Sequence, residues 1–264
     1  VKRLEARSLT LGYEKKTILA NLDLEVREGE LCVLIGPNGA GKSTLLSALA
    51  GFHEPFSGEV LLDGAGVLGF SSRGRARQIG SLFRFPENPL PLSLREFVSL
   101  GRYPHRLPFQ AESASDREKV EQALEQCSID HLSTRPITEL STGERQLAHT
   151  ALLLAQETPV MVLDEPVSHL DIHHAVLILD ILREKARQGN ILILSLHDLN
   201  QASLYADRCV ALGGGTIFQQ GTPGEVITEG NMERLYGPGV NLIISAEGYP
   251  LVYPGPGRGL MSEK

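Results

Sequence analysis

Gly36-Pro37-Asn38-Gly39-Ala40-Gly41-Lys42-Ser43-Thr44 is the stretch on which the fold turns. It matches G-x-x-x-x-G-K-[ST], a glycine-rich loop whose backbone N–H groups can wrap a phosphate. Lys42 can neutralise β and γ oxygens, and the Ser43 hydroxyl can ligate Mg²⁺. Such a loop needs a strand before it and a helix after it. Leu31-Cys32-Val33-Leu34-Ile35 is an unbroken apolar run between Gly29 and Gly36, the pattern of a buried parallel strand. Leu45, Leu46, Leu49 and Ala50 follow at helical spacing, and Gly51 offers a stop. That helix would direct its positive end at the same anion.

Working outward, Val160-Met161-Val162-Leu163 and Ile191 to Leu196 read as two more buried strands. Between them Ala175, Leu179, Leu182 and Ala186 form a helical stripe that ends at Gly189. Strand, helix, strand predicts βαβ units and a mostly parallel sheet. Leu9 to Tyr13, Leu22 to Val26 and Gly58 to Asp63 alternate apolar and polar, which predicts an antiparallel side sheet. Residues 88–150 read as mainly helical, with Val120, Ala123, Leu124 and Cys127 on one face after a cap at Ser115. Pro86, Pro89 and Pro91 mark where this lobe begins. The expected fold is α/β: a P-loop core with a mostly parallel sheet, an antiparallel β side sheet and an inserted α-helical lobe. One domain spans 1–264: a nucleotide-binding core of 1–87 and 151–221, the lobe 88–150, and a C-terminal extension 222–264. Pro254 to Gly259 reads as a mobile tail.

Composition removes several function classes. Of 264 residues, 25 are Lys or Arg and 32 Asp or Glu, a net charge of −7 that argues against nucleic-acid binding. Apolar runs such as Ala151–Ala155 fall far short of the ~18 residues a membrane-spanning helix needs. No apolar run follows the basic start Val1-Lys2-Arg3, so no signal peptide is expected. Cys32, Cys127 and Cys209 are odd in number and not at metal-ligand spacing, which predicts reduced, mostly buried thiols.

Asp164-Glu165 ends the strand Val160 to Leu163, where Asp164 could hold Mg²⁺ through water and Glu165 could polarise an attacking water. Taken without the phosphate loop, the pair also reads as two solvated carboxylates. Leu140-Ser141-Thr142-Gly143-Glu144-Arg145-Gln146 has capping-box spacing at Ser141 and Glu144, and a helix start beside Gly143 can receive an anion. An ordinary capped helix carries the same spacing.

The stretch at Leu140–Gln146 resembles the signature of ATP-binding-cassette (ABC) ATPases, usually L-S-G-G-Q/E. The phosphate loop, the signature, Asp164-Glu165, Ser168-His169-Leu170-Asp171 and His197 also fall in that family's order, over about Leu4 to Tyr236. The resemblance implies an ABC ATPase fold and a head-to-tail dimer of two copies that sandwiches ATP. Ser141, Thr142, Gly143 and Glu144 would then face the partner's nucleotide, with Ser141 and Gly143 on the γ-phosphate. Ser168 to Asp171 resembles the D-loop that crosses the dimer. The resemblance makes Glu165 the general base and His197 a γ-phosphate contact, although a lone His after a buried strand is otherwise more often a satisfied side chain. Tyr13 resembles the aromatic that stacks on adenine; packing on the side sheet is its other reading.

Two positions depart from the family. Arg84 falls where the family has a Gln that contacts Mg²⁺ and water, and a guanidinium has no acceptor for a metal. Either Arg84 binds γ-phosphate or a carboxylate such as Glu87, or the site hydrolyses slowly; the expectation is weakened Mg²⁺ coupling with hydrolysis retained. Thr142 adds a Cβ where the family usually has Gly.

Leu94 to Pro104, His197-Asp198-Leu199-Asn200 and Gly221 to Val226 resemble importer ATPases for iron–siderophore, haem and vitamin B12. That implies ATP hydrolysis powering uptake, with ATP and Mg²⁺ bound and integral membrane permease subunits docked on the helical lobe. A substrate-binding protein would be an indirect partner, and the chain would lie peripherally on the cytoplasmic face of the cell membrane. Phe83, Leu90, Leu92 and Phe97 are equally candidates for the permease contact and for lobe core. Import of another substrate class, a soluble non-transport ABC ATPase and a slow regulatory ATP-binding module are the alternatives.

Overall fold

The computed structural model describes residues 2–83, 91–107, 110–168 and 170–255. Two sheets organise the described residues. The first is antiparallel, in the order β2-β1-β4-β5, with β1 Arg3–Tyr13, β2 Lys16–Arg27, β4 Ser57–Leu62 and β5 Ala65–Gly66. β1 begins six residues before the alternation at Leu9, because a shift of register between Ala6 and Leu9 interrupts the period of two.

The second sheet has the order β10-β9-β3-β8-β7-β6, made of β3 Leu31–Ile35, β6 Ile79–Leu82, β7 Val160–Asp164, β8 Ile191–Ser195, β9 Arg208–Gly213 and β10 Thr216–Gly221. It is parallel except for β10 on its edge. All of β3 is buried, since both faces of the sheet are covered. Leu31, Val33 and Ile35 face one hydrophobic core, while Cys32 and Leu34 face a second one under the antiparallel sheet. The three cysteines are free and buried.

α1 Lys42–Leu49 follows the phosphate loop and packs into the second core. α2 Ser72–Gln78 leads into β6. The helical lobe comprises α3 Leu94–Ser99, α4 Ala114–Gln126 and α5 Thr142–Ala155, joined by short 3₁₀ turns. Its buried Leu94, Val98, Val120, Leu124, Leu147 and Ala151 extend the first core. Phe97 is partly buried there, with its ring 4.8 Å from His149. Phe83 packs on the second core, Leu92 is half-buried, and Leu90 lies outside the described residues.

The cap of α4 is Ser113, not Ser115. Both have an acid three residues on. Asp116 prevails because buried Arg102 donates to its Oδ1 at 2.9 Å while Ser113 Oγ donates to its Oδ2 at 2.7 Å. Those bonds hold the Asp116 carboxyl down against its burial, at about 2.

α6 Ile172–Arg187 joins β7 to β8, and α7 Leu199–Tyr205 joins β8 to β9. The C-terminal part holds α8 Pro223–Val226, α9 Glu229–Tyr236 and a hairpin of β11 Val240–Ile244 with β12 Pro250–Pro254. The expected mobile tail lies outside the described residues from position 256 on. Among the described residues, no helix is long and apolar enough to cross a membrane.

Candidate nucleotide site

β3 stops at Ile35 and α1 starts at Lys42, so the glycine-rich loop hangs between the end of a buried strand and a helix N-terminus. Two glycines are dictated by space as well as angle. Gly36 has φ +146, and a Cβ there would stand 2.4 Å from the Leu212 carbonyl oxygen. Gly41 has φ +97, and a Cβ would meet the Leu19 side chain at 2.8 Å.

Lys42 folds back along the loop, donating from Nζ to the Gly36 carbonyl at 2.6 Å and the Pro37 carbonyl at 3.1 Å. Burial lowers the pKa of its ammonium, and the charges of Glu165 and Asp164 oppose that shift.

A cavity of about 430 Å³ opens over the loop. It is lined by Ile18, the run Asn38 to Thr44, Glu165 and His197. Residues far apart in sequence meet here because β3, β7 and β8 are parallel neighbours whose C-terminal ends lie on one side. A larger open groove, about 640 Å³, lies beside Arg3, Glu25, Arg27 and Asp63. Glu25 is paired with Arg27 at 2.6 Å and with Arg3 at 3.7 Å, and Asp63 accepts from the Arg3 backbone N–H at 2.9 Å. The smaller cavity is the one bearing the phosphate-loop chemistry.

Glu165 and His197 face each other, with Oε1 and Nε2 2.6 Å apart. Glu165 has φ +52, in the left-handed region. Its carbonyl accepts from the Ser168 hydroxyl at 3.1 Å. Asp164, half-buried at the end of β7, accepts at Oδ1 from the Ser195 hydroxyl at 2.6 Å. Asp164 is not among the residues lining the cavity, nor is Tyr13. The Tyr13 ring is 53% exposed and lies 4.7 Å from His53.

Ser141, Thr142, Gly143, Glu144 and Asp171 do not line the cavity either. They gather at two neighbouring helix starts. Ser141 caps α5 in a capping box, its N–H donating to Glu144 Oε2 at 2.7 Å, and these bonds lower the Glu144 pKa. Asp171 caps α6, accepting from the His174 N–H at 3.0 Å and pairing with its Nδ1 at 2.6 Å, which lowers its carboxyl pKa. Gly143 lies against that same His174: a Cβ would stand 3.2 Å from Nδ1. The buried Gln146 side chain donates to the Pro166 carbonyl, tying α5 to the loop after Glu165. Arg84 and Glu87 lie outside the described residues.

Sequence reading missed Ile18 and Ser195. Ile18 carries no signal beyond strand alternation, and Ser195 reads as one more residue of an apolar strand. Only the register of β8 on β7, with Ser195 opposite Asp164, brings its hydroxyl to the acids.

Comparison with known proteins adds three findings. The family model described as "ABC transporter" matches residues 19–168. The ferric enterobactin transport ATP-binding protein FepC of Escherichia coli K12 is 43% identical over 256 residues, covering 96% of this chain and 94% of its own. Among solved structures, an inward-facing conformation of a metal-chelate type ABC transporter matches with TM-score 0.82 at 27% identity, over 96% of this chain and 98% of the other.

Proposed function

Because the chain belongs to the ABC transporter family, whose import ATP-binding subunits are ATPases, we propose that it powers uptake of a metal chelate of the iron–siderophore, haem or cobalamin kind. One observation carries the site: the phosphate loop, Glu165 and His197 line the same cavity. The loop N–H groups and the positive end of α1 bind the phosphates, and Lys42 exchanges its carbonyl partners for β and γ oxygens. Tyr13 offers a π face for adenine. The exposed Ser43 hydroxyl and the Asp164 carboxylate are hard oxygen donors of the kind Mg²⁺ takes. Bound there, the ion would neutralise charge on the β and γ phosphates. Glu165 takes the proton of the attacking water, and His197 holds the γ-phosphate.

Ser141, Thr142, Gly143, Glu144 and Asp171 serve the nucleotide of a second copy, the role that the resemblance to ABC ATPases implies for them; their place at the starts of α5 and α6, away from the chain's own cavity lining, is compatible with it. The division of labour follows: 1–87 and 151–221 bind nucleotide, and 222–264 extends the core. The lobe 88–150, with α5 running on to Ala155, receives integral membrane subunits on the cytoplasmic face of the membrane. A substrate-binding protein delivers the chelate to those subunits. The siderophore option is supported by FepC, 43% identical, whose name specifies ferric enterobactin transport.

Steady-state ATPase assays test the site. Glu165→Gln is expected to lower turnover about 100-fold or more with ATP still bound, the contribution of a general base. Unchanged turnover would refute the assignment. Uptake into vesicles holding the chain with its membrane subunits tests the cargo, comparing a ferric catecholate, haem and cobalamin; failure to move any of them while hydrolysing ATP counts against metal-chelate import.

A further inference from the structure

Ser195 is the last residue of β8, with no exposed surface. A hydroxyl buried to that degree is destabilising unless it is bonded. Here both of its roles are filled by the two acids of the site. It donates to Asp164 Oδ1 at 2.6 Å and accepts from the Glu165 N–H at 2.9 Å. The first bond takes one carboxylate oxygen of Asp164 and fixes the rotation of the group that would face a metal. The second reaches the backbone of Glu165 where the chain leaves the sheet.

That N–H needs an external partner for a geometric reason. Asp164 is the last residue of β7 paired with β8, opposite Ser195. One residue later the chain turns with φ +52, a left-handed conformation that is strained for a non-glycine residue. The turn carries the Glu165 N–H off the ladder, and the Ser195 hydroxyl replaces the missing strand partner. The same turn points the Glu165 side chain to His197, 2.6 Å away.

We infer that Ser195 is a positioning residue for ATP hydrolysis, orienting the Asp164 carboxylate and holding the backbone turn that aims Glu165 into the cavity. This rests on the roles proposed for Asp164 and Glu165. One hydroxyl thereby couples the two acids: a shift in one is felt by the other. A hydroxyl that merely completed a buried turn would affect stability without separating turnover from nucleotide binding.

The test compares Ser195→Ala and Ser195→Cys with the parent, and with Glu165→Gln as reference. Turnover, KM for ATP, the Mg²⁺ concentration for half-maximal turnover, and binding of a fluorescent ATP analogue in EDTA are measured. Ser195→Ala is expected to lower kcat about tenfold, to raise the half-maximal Mg²⁺ concentration about threefold, and to leave metal-free nucleotide binding within about twofold. Ser195→Cys, of similar volume with a weak donor, is expected to fall between alanine and parent. Turnover of Ser195→Ala within about twofold of the parent overturns the inference, as does a loss of metal-free binding equal to the loss of turnover in both variants. If the alanine variant does not fold, the cysteine variant decides by the same two criteria. Parent-like turnover in Glu165→Gln would mean that the reading of the site has failed; a silent Glu165→Gln beside an active Ser195→Ala would condemn only the role of Ser195.

Discussion

His149 illustrates how a single side chain writes a pH dependence into this protein. Its imidazole sits on α5 among buried groups, against Phe97 and near Arg145, and burial pushes its pKa down to about 4. In the unfolded chain the same group titrates at ~6.5. Between those values the unfolded state binds the extra proton, so stability rises with pH there and is lost as pH falls toward 4. Between pH 7 and pH 5 the expected loss is roughly 1–2 kcal/mol. Urea unfolding at the two pH values should show it, and His149→Gln should flatten the difference; an unchanged difference would place its origin elsewhere. Lys42 makes the complementary case. Its charge is kept in a buried position by two carbonyls and two nearby acids, Glu165 and Asp164.

At the level of elements, what the sequence made legible is what chain neighbours determine. The strand Leu31–Ile35, the loop to Thr44, α1, the capping box at Ser141 and the placing of Asp164-Glu165 at the end of β7 all read correctly because period, cap and glycine chemistry are local. The cap of α4 did not, because Arg102 chose between Ser113 and Ser115 from another part of the chain. The first half of β1 was hidden by a bulge, and the partnership of Ser195 by strand register. The mooring of α7 was equally invisible. Asn200, three residues past His197, accepts from the Val252 N–H at 2.6 Å and donates to its carbonyl at 3.1 Å, so its amide acts as an added strand on β12. Asn200→Ala removes both bonds and leaves two backbone groups of the hairpin short of partners. The expected cost is about 1–2 kcal/mol of stability, and the Val252 amide should exchange with solvent faster. Unaltered exchange at Val252 would show that the hairpin holds by its apolar contacts alone.

Taken whole, the molecule separates two surfaces. One is the cavity with the phosphate loop, Glu165 and His197; the other bears the capped starts of α5 and α6. His174 lies against Gly143, and Gln146 on the Pro166 carbonyl ties the second surface to the loop that follows the chain's own acids. The full chain carries a net charge of −7, and among the described residues no helix is long and apolar enough to cross a membrane. In a dimer where each cavity borrows the second surface of its neighbour, damage to either surface follows the rules of genetics as much as those of chemistry. A Lys42→Ala copy loses its own cavity yet still lends a sound surface; a Ser141→Arg copy does the reverse. Each variant pure should be silent. Mixed in equal amounts and allowed to exchange partners, half the pairs are heterozygous and each holds one intact site, so roughly a quarter of the wild-type sites return. Activity regained on mixing two dead proteins would be complementation between alleles of one gene, and its absence would mean that each chain works its own nucleotide alone.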